Sequence, residues 1–145
     1  MRLVLQRVKS GKVLVAGHDI AEISKGLVIL LGIGPQDSED QARLLADMVA
    51  NLRIFEDEGG KMNLSLLDVK GEAIVVSQFT LYADTRKGRR PSFTDAALPE
   101  VARPVVERFA GLLRERGIPT QTGEFGAHML VEINNDGPVT ILLEA

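Results

Sequence analysis

One stretch, Leu27-Val28-Ile29-Leu30-Leu31, constrains this chain more than any other. Five apolar residues in a row give a sheet no face to turn toward water, so such a strand must be covered on both sides. Gly32, Gly34 and Pro35 end it. Covering layers require helices, and two candidates follow in sequence. The first opens at Ser38, an N-cap with Gln41 three residues on in the manner of a capping box, and lines Leu44, Leu45, Met48, Val49 and Leu52 on one side. The second places Val101, Val105, Phe109 and Leu112 on one stripe and stops at Gly117, with Pro104 set to bend it unless it lies in the first turn.

The rest reads as strands. Leu3, Leu5 and Arg7 alternate with Val4 and Val8, which puts a charge on a leucine-bearing face. Residues 13–16 and 20–23 flank Gly17-His18-Asp19 as a hairpin, and residues 56–62 form a polar, glycine-containing loop. Residues 73–76 form another apolar strand. Two closing strands, near 128–134 and 139–144, are separated by Asn135-Asp136-Gly137-Pro138. No linker, repeat or shift of composition divides the chain. The expectation is a mixed α/β fold of one domain, residues 1–145, with an extended sheet system, sandwich- or barrel-like, and two main helices packed on one side.

Composition removes several chemistries. There is no cysteine, which excludes thiolate catalysis, cysteine-held metal and disulfides, and His18 and His128 are too few for a three-histidine metal site. Neither metal nor cofactor is expected. The net charge of −3 means that a nucleic-acid partner would be held by a local patch. No run approaches the roughly 20 apolar residues of a membrane span, and the first residues turn polar before a signal core forms, so a soluble, cytoplasmic protein is expected.

Three segments could carry chemistry. Ser77, Gln78 and Thr80 follow directly on the apolar strand at 73–76, where a strand end can hold side chains and N–H groups rigidly, or can simply emerge into water. A hydroxyl nucleophile there needs a base, and both histidines are poor ones: His18 sits in a turn and His128 begins a strand. Arg86, Lys87, Arg89 and Arg90 gather around Gly88 beside Phe93, either as a solvated loop or as an anion-facing patch. Gly137-Pro138 is either a plain turn or a place where bare carbonyls are offered to a ligand.

The strings Ser77-Gln78-Phe79-Thr80-Leu81 and Asn135-Asp136-Gly137-Pro138-Val139-Thr140 together resemble the D-aminoacyl-tRNA deacylase family of the bacterial and eukaryotic type. The Leu5-Gln6-Arg7-Val8 start, Gly88-Arg89-Arg90-Pro91-Ser92-Phe93 and Gly123-Glu124-Phe125-Gly126-Ala127-His128-Met129 fall in the family's order, so the resemblance runs end to end. It implies hydrolysis of the ester of D-aminoacyl-tRNA, and of glycyl-tRNA mischarged on the alanine tRNA, as proofreading. It also implies a homodimer with a shared site. Residues 77–80 would line the pocket for the aminoacylated end. Gly137 and Pro138, joined by a cis bond, would enter the pocket of the opposite subunit, supported by Arg7. Phe125 and Met129 match residues near the pocket, and the run 86–90 is a candidate phosphate contact. The alternative is a tRNA-binding module without catalysis.

Overall fold

A computed structural model describes residues 1–145. The long strand β1 (Arg2–Val15) organises the sheet. Along one edge it pairs antiparallel first with β3 (Gly26–Gly32) and then with β2 (His18–Ile23); along the other it pairs with β8 (Met129–Glu144) over its whole length. Beyond β3 the sheet continues in parallel through β6 (Glu72–Ser77) to β7 (Thr120–Thr122). It then curls back on itself. Glu22 on β2 and Gln121 on β7 bond reciprocally, the Glu22 N–H donating to the Gln121 side chain (3.1 Å) and the Gln121 amide donating to the Glu22 carbonyl (2.5 Å). Side chains thus close a near-barrel where no backbone ladder does.

Parallel pairs need crossover connections, and these supply the helices. Helix α1 (Glu39–Asn51) lies between β3 and β6, and α2 (Pro99–Glu115) between β6 and β7. Both pack on the outer face of the curl over a core that includes Leu3, Leu5, Ile29, Leu45 and Phe109. A second, smaller core fills the inside of the curl, with Val8, Val13, Val28, Ile74 and Val76. Strand β3 sends Leu27, Ile29 and Leu31 into the first core and Val28 into the second, so its apolar run is covered on both faces as expected.

The Ser38 cap forms a complete capping box with Gln41. Several expectations are corrected. The buried face of α1 is Ala42, Leu45, Ala46 and Val49, while Leu44 and Met48 are exposed, because small alanines let the helix approach the sheet closely. On α2 the buried residues are Ala102, Val106, Phe109, Ala110, Leu112 and Leu113; Val101 is exposed and Val105 only half-buried. Pro104 lies inside the helix, on a solvent-facing turn where water can satisfy the carbonyl that its missing N–H leaves free. The hairpin turn falls on Ala16-Gly17, both with positive φ (49° and 79°), which moves His18 and Asp19 into β2. The segment expected as a loop is framed by a small hairpin of β4 (Phe55–Glu56) and β5 (Met62–Leu64). The two closing strands are one, β8, bent by the segment between them.

Candidate active site

That bend is a wide bulge. Gln6 faces Thr140 and Val8 faces Asn135, so a single residue of β1, Arg7, stands opposite Asp136, Gly137, Pro138 and Val139. Surplus residues in one strand leave the ladder and re-aim the chain. Both ends of the bulge are pinned. The Asn135 amide donates to the carbonyls of Val139 (3.0 Å) and Arg7 (2.9 Å), and Arg7 Nε donates to the Asp136 carbonyl (3.1 Å). Arg7 is 4% exposed, its Nη1 donates to the Ile54 carbonyl at 2.7 Å, and the Asp136 carboxylate lies 3.5 Å from its Nε. The charge on the leucine face is therefore a buried strut between the residue that leads into β4 and the bulge. Gly137 has φ +127°, and a Cβ there would come within 2.9 Å of Val139 Cγ2 and 3.1 Å of Arg7 Nη2, so glycine is required. The Gly137–Pro138 bond is cis, and both residues face solvent, with Val139 buried beneath. Their carbonyls have no register partner on β1.

Ser77 ends β6, and the chain turns at once into a single 3-10 turn, Phe79–Tyr82. The Gln78 N–H still donates to Leu31 of β3 (2.8 Å), which anchors the turn to the sheet. The first bond inside the turn runs from the Leu81 N–H to the Gln78 carbonyl, so the N–H groups of Phe79 and Thr80 have no carbonyl partner. The Gln78 amide donates to Thr80 Oγ1. On the far side of the turn the Tyr82 hydroxyl donates to Asp37 (3.3 Å); burial and that carboxylate push its pKa up to about 12.

A cleft of about 570 Å³ opens beside this turn. Ser77, Gln78 and Phe79 form one wall, the start of α2 (Leu98, Ala102, Val106) another, and Phe125 to Met129 a third. Phe79 is 56% exposed and packs edge-on against Phe93, ring centroids 5.0 Å apart. Met129 lies across Gly123, where a Cβ would sit 2.6 Å from its sulfur. His128 also lines the cleft, ahead of β8 rather than in it.

The basic run occupies the tip of an exposed loop closed at its base by paired Asp84–Ser92 backbone bonds (2.8 and 2.9 Å), so it leads directly to Phe93 at the cleft. Arg86 is neutralised by Asp84 (2.8 Å), and its bonds hold that carboxyl at about 2. Lys87, Arg89 and Arg90 remain exposed.

Of the residues singled out from sequence, Ser77, Gln78, Phe79, Phe125 and Met129 meet at this cleft. Thr80 sits next to it on the turn. Gly137 and Pro138, with Arg7 buried behind them, do not line the cleft of their own chain. Sequence reasoning misses the α2 wall and the pinning role of Asn135. Leu98 and Ala102, apolar and three residues ahead of Val101 and Val105, are the available signal for the first.

The architecture is an α/β sheet with crossover helices, and the cleft lies where strand ends meet one of those helices. The chain belongs to the family described as D-Tyr-tRNA(Tyr) deacylase, whose model matches residues 4–144. Two relatives named D-aminoacyl-tRNA deacylase illustrate the range: that of Roseiflexus sp. (strain RS-1) is 62% identical, aligned over 100% of this chain and 94% of its own. That of Thermosipho africanus is 52% identical over 100% and 97%. Membership makes the chain a hydrolase. A solved structure titled c-Myc DNA Unwinding Element Binding Protein superposes with a TM-score of 0.95 at 41% identity, over 100% of this chain and 99% of that one. Another, titled as a probable eukaryotic D-amino acid tRNA deacylase, has a TM-score of 0.85 at 18% identity, over 98% and 97%, and shows the same fold. No helix is long and apolar enough to cross a membrane.

Proposed function

We propose that this chain hydrolyses D-aminoacyl-tRNA in the cytoplasm as a homodimer, discriminating by the hand of the amino acid, with the substrate's own ribose assisting. The cleft takes the aminoacylated end. The free N–H groups of Phe79 and Thr80 carry the reading: two adjacent main-chain donors, fixed by the sheet and aimed at no protein acceptor, suit a developing oxyanion. Water adds to the ester carbonyl, the bond between the acyl carbon and the ribose oxygen breaks, and the ribose oxygen leaves with a proton. The vicinal ribose hydroxyl assists in activating that water, so no side chain is assigned as the base.

Selection by hand is assigned to Gly137 and Pro138 of the partner subunit. Their solvent-facing carbonyls accept the α-ammonium hydrogens and set the substrate Cα against main chain, so an L side chain would overlap backbone while a D side chain points away. Glycine, with no side chain, passes. A dimer is favoured by the exposed apolar side chains of β8, Leu130 and Leu142, and by the absence of Gly137 and Pro138 from the cleft of their own chain.

Thr80 as nucleophile is the rival assignment. Its hydroxyl accepts a bond from the Gln78 amide, a group that cannot take a proton, which disfavours it. Thr80→Ala is expected to keep activity within about threefold of wild type; a fall of about 10⁴ or more would instead establish a nucleophile. The cations of the loop are assigned to tRNA phosphates. Reversing Arg89 and Arg90 to glutamate should weaken tRNA binding and flatten its dependence on log salt, by about 0.7–0.9 for each phosphate no longer neutralised. An unchanged slope would refute the assignment.

A further inference from the structure

Arginines in this chain are mostly committed. Eight of the eleven donate to a carbonyl or pair with a carboxylate. The three that do neither are Arg89, Arg90 and Arg103, and each is tied to an aromatic wall of the cleft by chain or by contact. Arg89 and Arg90 lie on the loop that ends at Phe93. Arg103 comes from the opposite element, α2, and stacks its guanidinium on the ring of Phe125, Cζ 4.8 Å from the centroid. Both Phe93 and Phe125 line the cleft.

Arg103 has carboxylates at helical spacing, Glu100 and Glu107, yet forms an ion pair with neither. Stacking uses the face of the guanidinium and leaves its in-plane N–H edge unspent, an arrangement that lets one arginine hold an aromatic ring and an anion together. On the reading that the cleft receives the esterified nucleoside, the nearest anion entering with it is the phosphate on the 5′ side of that nucleoside. We propose that Arg103 binds this phosphate, forming with the 86–90 loop a cationic rim on two sides of the cleft mouth.

The test compares adenosine with adenosine 5′-monophosphate as inhibitors of D-tyrosyl-tRNA hydrolysis, in wild type, Arg103→Ala and Arg103→Lys. In wild type the nucleotide should inhibit about tenfold more tightly than the nucleoside, a charged hydrogen bond's worth. Arg103→Ala should bring that ratio to about one while raising KM for D-tyrosyl-tRNA about tenfold at nearly unchanged kcat. Arg103→Lys should keep part of the preference, having charge without the planar fork. A ratio unchanged in Arg103→Ala, or an equal weakening of both inhibitors, would overturn the assignment; the second would mark Arg103 as support for Phe125 alone. Wild-type protein inhibited by neither compound would overturn the cleft reading itself, and the assignment with it.

Discussion

Arg7→Ala is expected to lower stability by about 3 kcal/mol and deacylation by about two orders of magnitude. The stability loss follows from what the guanidinium satisfies. Removing it strips the Ile54 and Asp136 carbonyls of their donor, and a buried acceptor left without a partner costs about 1–3 kcal/mol. The Asp136 carboxylate, only partly buried, can turn to water, which keeps the total near the lower end of what breaking a buried ionic contact costs. Thermal unfolding should fall by about 10 °C at this chain length. The activity loss follows from position. With its strut gone the Asp136–Val139 bulge is held by Asn135 and the exposed Lys9–Asp136 ion pair, and displacing a positioning element by about 1 Å costs about 10² in rate. Arg7→Lys should recover part of the stability but little activity, since one ammonium cannot span both carbonyls in the geometry of the fork. Loss of stability with rate intact at a temperature where the variant is folded would show that Arg7 serves the fold and not the site.

The second large effect is in the substrate. Overlap of an L side chain with fixed main chain, taken as about 4 kcal/mol, corresponds to about 10³ in rate between hands. The side chain's identity should matter far less, because a D side chain points away from the gate. Glycyl-tRNA should be cleaved because the gate rejects and does not recognise. This pattern differs from that of a pocket complementary to a particular side chain, which would favour one amino acid and discriminate against glycine.

How much of this is legible in the sequence depends on how local each feature is. The buried strand β3, the Ser38–Gln41 box and the apolar strand β6 are written in consecutive residues, and the structure has them where expected. The helix faces are rotated from the ones the apolar stripes suggest, because alanine carries little hydrophobic signal yet is what permits close packing: Ala42, Ala46, Ala102 and Ala110 are all buried. In sequence the bulge reads as a loop between two strands, since its pairing partner Arg7 is more than 120 residues away in the chain and nothing local reveals the shared ladder. Likewise Phe79, Phe93 and Phe125 are scattered in sequence and meet only because β6, the basic loop and the approach to β8 converge. Family resemblance locates the residues; pairing and register explain why they lie where they do.

The most direct measurement is the release of amino acid from D-tyrosyl-, L-tyrosyl- and glycyl-tRNA by the purified protein under one set of conditions. A main-chain gate presented by the partner subunit predicts release from the D and glycyl esters, with the L ester left intact. Cleavage of the L ester at the D rate, or a glycyl ester untouched while the D ester is consumed, would contradict it.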